Sequence, residues 1–280
     1  MSAPALRTLF EPVPLDGGAG PLFAVHYPPT RAADRAVLFL PPFAEELNRA
    51  RRMASLQARA LAAQNIGTLI LDPYGCGDSG GEFAEARWQT WRDDALRAIG
   101  WLRTRGYRRI TLLGLRLGAL LALDVAHDSA AAADRVVLWQ PVLRGEQMMT
   151  QFLRLRLAAE LSAGARGRDG TAALRQQLAT DKIIEIAGYE LHHDLVVALD
   201  KLKLVELGQA CPTPIEWIDV VAEASQPVSP AQEQVMARWR EAKVDFRHHQ
   251  AVGEPFWTLQ ETTVAPGLVS LTSALLERGA

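Results

Sequence analysis

Arg109-Ile-Thr-Leu-Leu-Gly-Leu-Arg-Leu-Gly-Ala-Leu-Leu-Ala-Leu-Asp124 reads as a buried strand, a glycine-flanked turn and a helix. Its centre, Gly114-Leu-Arg-Leu-Gly118, has the spacing of the nucleophile elbow G-x-S-x-G. In such an elbow the two glycines leave room for a strained turn, which pushes the middle side chain out over the carboxyl-terminal edge of a parallel sheet. The middle residue here is Arg116. A guanidinium has no deprotonated form at physiological pH and cannot attack a carbonyl, so the motif predicts the scaffold without its usual nucleophile.

Strand and helix patterns repeat on both sides of this stretch at intervals suited to right-handed crossovers. The first 30 residues, punctuated by Pro12, Pro14, Gly17, Gly18 and Gly20, suit one or two antiparallel edge strands, of which Phe23–Tyr27 is the clearest. Arg35–Leu40 and Gly67–Asp72 are short apolar runs of the kind buried on both faces, with a helix through Met53, Leu56, Ala60 and Leu61 between them. Downstream, Arg135–Gln140, Pro214–Val221 and Val244–Val252 read as further strands, Pro230–Ala242 as a helix, and Ser270–Glu277 as the beginning or completion of a closing helix. The pattern predicts an α/β chain with the α/β-hydrolase fold, a mostly parallel, doubly wound sheet of about eight strands. Residues 144–208 break the rhythm, with an apolar face through Met148, Met149, Phe152, Leu155 and Leu157 and a Gly/Arg-rich hinge at Gly164–Gly170. The expected organisation is a core of residues 1–143 and 209–280, with 144–208 as a helical cap inserted after the sixth strand.

Acyl transfer on this scaffold requires a nucleophile at the elbow, a carboxylate after the 214–221 strand and a histidine after the 244–252 strand. Arg116 holds the first position, Ser225 the second and Pro255 the third. Glu223 lies two residues from the acid position, and His248 and His249 fall inside the strand rather than in the loop beyond it. The backbone amides of Phe43, Ala44 and Leu117 inherit the place of an oxyanion hole and, with Arg116, form the candidate ligand-binding set. A cation at a helix amino terminus is unfavourable by about 0.3–1 kcal/mol, so an anion should accompany Arg116. Two readings stay open: a ligand carboxylate or phosphate, or an internal ion pair with Glu45, Glu46 or Glu254.

Other motifs carry less. Gly75, Gly77 and Gly80 match G-x-G-x-x-G, but Gly81-Glu-Phe-Ala continues as loop where a dinucleotide site needs a helix at once. Cys76 and Ser79 in that loop are the remaining candidates for an unconventional nucleophile. His192-His193-Asp194 reads as a helix start and His26 as an edge-strand side chain; no metal and no cofactor is expected. At 280 residues, 49% hydrophobic and 22% charged with net charge −2, the chain gives no electrostatic reason to bind nucleic acid. Without a signal-peptide pattern or a bilayer-length apolar run, no membrane insertion is expected and the chain reads as cytoplasmic, with Cys76 and Cys211 as unpaired packing residues.

Leu40-Pro-Pro-Phe-Ala-Glu-Glu-Leu-Asn-Arg-Ala-Arg-Arg-Met53, Asp72-Pro-Tyr-Gly-Cys-Gly-Asp-Ser-Gly-Gly81 and Gly114-Leu-Arg-Leu-Gly-Ala-Leu-Leu121 resemble the exosortase A system-associated hydrolase 2 family. The resemblance covers the first half of the core. It implies an α/β-hydrolase encoded near exopolysaccharide and PEP-CTERM protein-sorting genes. The residues support three functional readings: a protein with a degenerate triad that binds an anionic or acylated small molecule; an ester or thioester hydrolase or acyltransferase using Cys76 or Ser79; and a non-catalytic partner of another protein in an exopolysaccharide or exosortase pathway.

Overall fold

The computed structural model describes residues 9–162, 170–259, 261 and 263–277. Most of the Gly/Arg-rich hinge read at 164–170, and the amino-terminal residues 1–8, lie outside the described residues. The strands in chain order are β1 (Glu11–Asp16), β2 (Pro21–Tyr27), β3 (Arg35–Leu40), β4 (Gly67–Asp72), β5 (Arg109–Leu115), β6 (Arg135–Trp139), β7 (Ile183–Ile186), β8 (Tyr189–His192), β9 (Ile215–Val221) and β10 (Phe246–Val252). Eight of them form one sheet in the order β1-β2-β4-β3-β5-β6-β9-β10, and β7-β8 is a separate hairpin. β1 and β2 are antiparallel, and β2 joins β4 antiparallel; every pairing from β4 to β10 is parallel. The chain therefore has the α/β-hydrolase architecture, and the loops following β3, β4, β5, β6, β9 and β10 all emerge on one edge.

Alternation along the central strands divides the core in two. Leu38, Leu40, Leu69, Leu71, Leu112, Val136 and Leu138 pack on one face, against α2 (Trp88–Thr104), α3 (Leu117–Ala126) and α8 (Pro230–Glu241). Val37, Phe39, Ile70, Leu113, Leu115, Val137 and Trp139 pack on the other, against α1 (Glu45–Ala63) and α9 (Pro266–Glu277). Ser270–Glu277 completes the closing helix, which begins at Pro266 because a proline is pre-shaped for the first turn of a helix. At the β1 edge, Pro12 and Pro14 remove ladder donors. His26 is buried there between Glu11 (2.8 Å) and the Tyr107 hydroxyl (2.9 Å), a satisfied strand side chain.

Between β6 and β9 the chain forms α4 (Gly145–Ser162), α5 (Thr171–Asp181), the β7-β8 hairpin, α6 (His193–Asp200) and α7 (Leu204–Ala210). The hairpin adds to the helices read from the pattern. Its two-residue turn, Ala187-Gly188, has positive φ at both positions (51° and 82°), as a type I′ turn requires. His192 caps α6, accepting from the Asp194 amide at 3.0 Å. Among the described residues no helix is long and apolar enough to cross a membrane.

Candidate functional site

Arg116 sits between β5 and α3 with φ 56° and ψ −113°, a backbone region that costs a residue with a side chain about 1–3 kcal/mol. The turn is held by the Arg116 amide donating to the Trp139 carbonyl at 2.9 Å. Its two glycines are required by close approach. A Cβ on Gly114 would lie 2.1 Å from the Gly118 carbonyl oxygen, and one on Gly118 would lie 2.2 Å from that of Leu40. Ala44, which precedes α1, has the matching unusual conformation (φ 50°, ψ −125°). Two strained turns thus face the same carboxyl-terminal edge, and among the described residues the Ala44 and Leu117 amides have no protein acceptor.

The Arg116 side chain, 20% exposed, lies with its Nε 3.4 Å from Glu46 Oε1 and its guanidinium carbon 5.7 Å from the centre of the Trp257 ring, within cation–π range. Of the three expected ion-pair partners, Glu46 is the one in contact. Glu45 lies 3.5 Å from Arg49 and accepts from the Tyr189 hydroxyl at 3.3 Å, and Glu254 is exposed in the loop after β10. Burial raises the Glu46 carboxyl above its ordinary value, against the downward pull of Arg116 and then Arg49. Its second oxygen, Oε2, is buried without a partner among the described residues. The pair is therefore a single long contact around an incompletely satisfied carboxylate.

Aromatic rings close over this point. Phe43 meets Phe83 (5.5 Å), Trp91 (6.3 Å) and Phe152 of α4 (5.1 Å) edge-on, and Tyr189 of the hairpin packs on Phe83 at 5.0 Å. Beneath them Phe43, Ala44, Leu117 and Cys76 line an apolar cavity of ≈ 20 Å³, room for about one water.

Ser225 is exposed in the turn after β9 and Pro255 in the loop after β10. Among the described residues neither bonds to Arg116; that second loop delivers Trp257 instead. His248 and His249 are in β10, pointing to opposite faces: His248 Nε2 is 2.8 Å from Asp219, and His249 Nε2 is 2.8 Å from Glu216. Asp219 is itself fixed by Trp217 Nε1 and Gln232 Nε2, each at 2.8 Å. The Cys76 thiol is pushed well up by burial, then by the carboxylates of Asp72 and Asp94. Ser79 Oγ donates to the Asp72 carbonyl and accepts from the Phe23 amide at 2.8 Å, so both its roles are spent on the backbone. Among the described residues no Ser, Thr or Cys side chain bonds to a histidine, and no group of three or more His, Cys, Asp or Glu is placed to hold a metal.

The residues missed by sequence reasoning are Trp257 and Tyr189. Trp257 had a signal in the Phe-Trp pair directly after Pro255; Tyr189 had none, because it arrives on a hairpin whose Ala-Gly turn is a weak marker.

A family model described as serine aminopeptidase S33 (Hydrolase_4) matches residues 31–193. No curated protein matches the chain. Among solved structures, the chain is similar to Est1E from Butyrivibrio proteoclasticus with ferulic acid bound (14% identity, 95% of this chain and 97% of that one, TM-score 0.65). It is also similar to DcsB in complex with a substrate analogue (15%, 96% and 98%, TM-score 0.64). A third is the proline iminopeptidase of Mycobacterium smegmatis (14%, 96% and 98%, TM-score 0.61). At these identities the likeness speaks for the fold alone.

Proposed function

We propose that this chain, which belongs to the serine aminopeptidase S33 family of α/β-hydrolases, has given up Ser-His-Asp hydrolysis and holds an anionic or acylated small molecule at the Arg116 elbow. The observation that carries this reading is the guanidinium on the elbow between β5 and α3, paired loosely with Glu46 at 3.4 Å. A ligand carboxylate, phosphate or sulfonate would replace Glu46 on the planar guanidinium, assisted by the Ala44 and Leu117 amides, with its apolar part among Phe43, Phe152 and Tyr189. The cavity of ≈ 20 Å³ admits no such molecule, so binding requires the β7-β8 hairpin to move away from α1. Cys76 and Ser79 are poor nucleophile candidates, one half-buried with its thiol pushed up and no base bonded to it among the described residues, the other bonded to backbone on both sides. We also take from the resemblance in residues 40–53, 72–81 and 114–121 that the ligand, and any protein partner, belongs to an exopolysaccharide or PEP-CTERM sorting system.

Titration with hexanesulfonate tests the reading, since a sulfonate keeps its charge across the working pH range. Saturable binding should weaken at least tenfold in Arg116→Gln, in keeping with the strength of a charge-assisted hydrogen bond. It should tighten as pH falls, because protonating Glu46 frees the guanidinium. Equal affinity in the variant would overturn the proposal.

A further inference from the structure

Away from the elbow, the start of α4, the α6–α7 junction and α8 enclose a cleft of ≈ 480 Å³, lined by Leu143, Arg144, Gln147, Lys203, Val235 and Arg238 among others. Its size falls within the range of small-molecule sites. Arg144 and Lys203 face each other across an isolated antiparallel bridge, fixed by flanking bonds from Gly145 to the Leu202 carbonyl (2.9 Å) and from Leu204 to that of Leu143 (3.0 Å). Like charges directly opposed in such a pair are destabilising. Glu206 relieves one of them, at 2.7 Å from Lys203 Nζ. Arg144 and Arg238 have no carboxylate partner among the described residues, so two guanidinium charges remain over.

The walls are set in advance of any ligand. Trp239 donates from Nε1 to the Val205 carbonyl at 3.0 Å, and a Cβ on Gly208 would lie 2.0 Å from the Trp239 ring, so α7 lies directly on α8. Val235 and Val205 form an apolar floor, and the Gln147 amide lines the rim.

We infer that this cleft binds a small organic phosphomonoester. Two surplus guanidinium forks match one dianionic phosphate in charge and in planar, bidentate geometry. The apolar floor and the amide receive the organic remainder. The amino end of α4 opens onto the same cleft and adds to its positive potential.

The test is calorimetric titration of the full chain with hexose 6-phosphate, the free hexose, inorganic phosphate and a short oligoglutamate peptide. Hexose phosphate should bind saturably and the free hexose should not. Binding should weaken at least tenfold in Arg144→Gln and in Arg238→Gln, persist in Arg116→Gln, and fade below pH ~6 as the phosphate dianion takes up a proton to become the monoanion. Persistence in Arg116→Gln separates this site from the elbow, so failure of either proposal leaves the other standing. Unchanged affinity in both cleft variants, inorganic phosphate binding as tightly as the hexose phosphate, or capture of the oligoglutamate alone would overturn the inference.

Discussion

Arg116 is doubly disfavoured where it stands, by a positive-φ backbone and by the positive end of α3, and among the described residues only Glu46 and the Trp257 ring stand against those costs. Because burial holds the Glu46 carboxyl above its ordinary 4.5, the folded state favours its protonated form. Ionising it subtracts stability as pH rises from the unfolded value through the folded one. Urea unfolding of Glu46→Gln should therefore improve relative to wild type between pH 4 and pH 8. A gap that moves the other way would mean that the pair is strongly stabilising. Asp94 offers a second titration. It is fully buried, one oxygen accepts from the Tyr74 amide at 2.9 Å, the other has no partner among the described residues, and burial pushes the group from 3.8 up to about 6. Here too stability is present below the unfolded value and lost as pH rises through about 6. At about 1.4 kcal/mol per pH unit, Asp94→Asn should gain as much as about 3 kcal/mol on wild type between pH 4 and pH 8. A constant difference across that interval would contradict the assignment.

The elbow and its flanking helices make opposite demands on glycine. Gly118 meets the Leu40 and Pro41 carbonyl oxygens at 2.2 and 2.5 Å from an ideal Cβ, so Gly118→Ala should push α3 off β3 and cost more than about 3 kcal/mol in chemical denaturation. Gly100, exposed in the middle of α2 with nothing within 4 Å, should instead stabilise on change to Ala by about 0.5–1 kcal/mol. A tolerated Gly118→Ala would remove the geometric basis of the elbow. The same two kinds of position explain what was legible. Glycine spacing around Arg116 and the apolar runs of β3, β4, β5 and β6 exposed the core, because strands buried on both faces leave unbroken hydrophobic stretches. The β7-β8 hairpin was not legible: each strand has four residues, and Ile184-Glu185-Ile186 and Tyr189-Glu190-Leu191 alternate with charge in a pattern too short to distinguish from a helix end.

For the molecule as a whole, the sheet order, the crossovers and the one edge on which the loops gather follow from elements that the pattern announced in order. The partner of Arg116 did not. Glu45, Glu46 and Glu254 were equivalent in sequence, and the choice among them depends on the direction of side chains leaving α1: Glu46 turns inward while Glu45 turns toward Arg49 and Tyr189. The Asp219–His248 pair was likewise invisible, since it requires β9 and β10 to be neighbours in a known register. Seen together, the α/β-hydrolase scaffold is intact, the elbow between β5 and α3 carries a cation, and no hydroxyl or thiol is aligned on an imidazole among the described residues. The most direct measurement is therefore turnover. Purified wild-type protein is to be incubated with a fluorophosphonate probe and with short-chain nitrophenyl esters and thioesters. The account predicts no covalent label and hydrolysis no faster than in buffer; labelling of a serine, or turnover abolished by Ser79→Ala or Cys76→Ala, would contradict it.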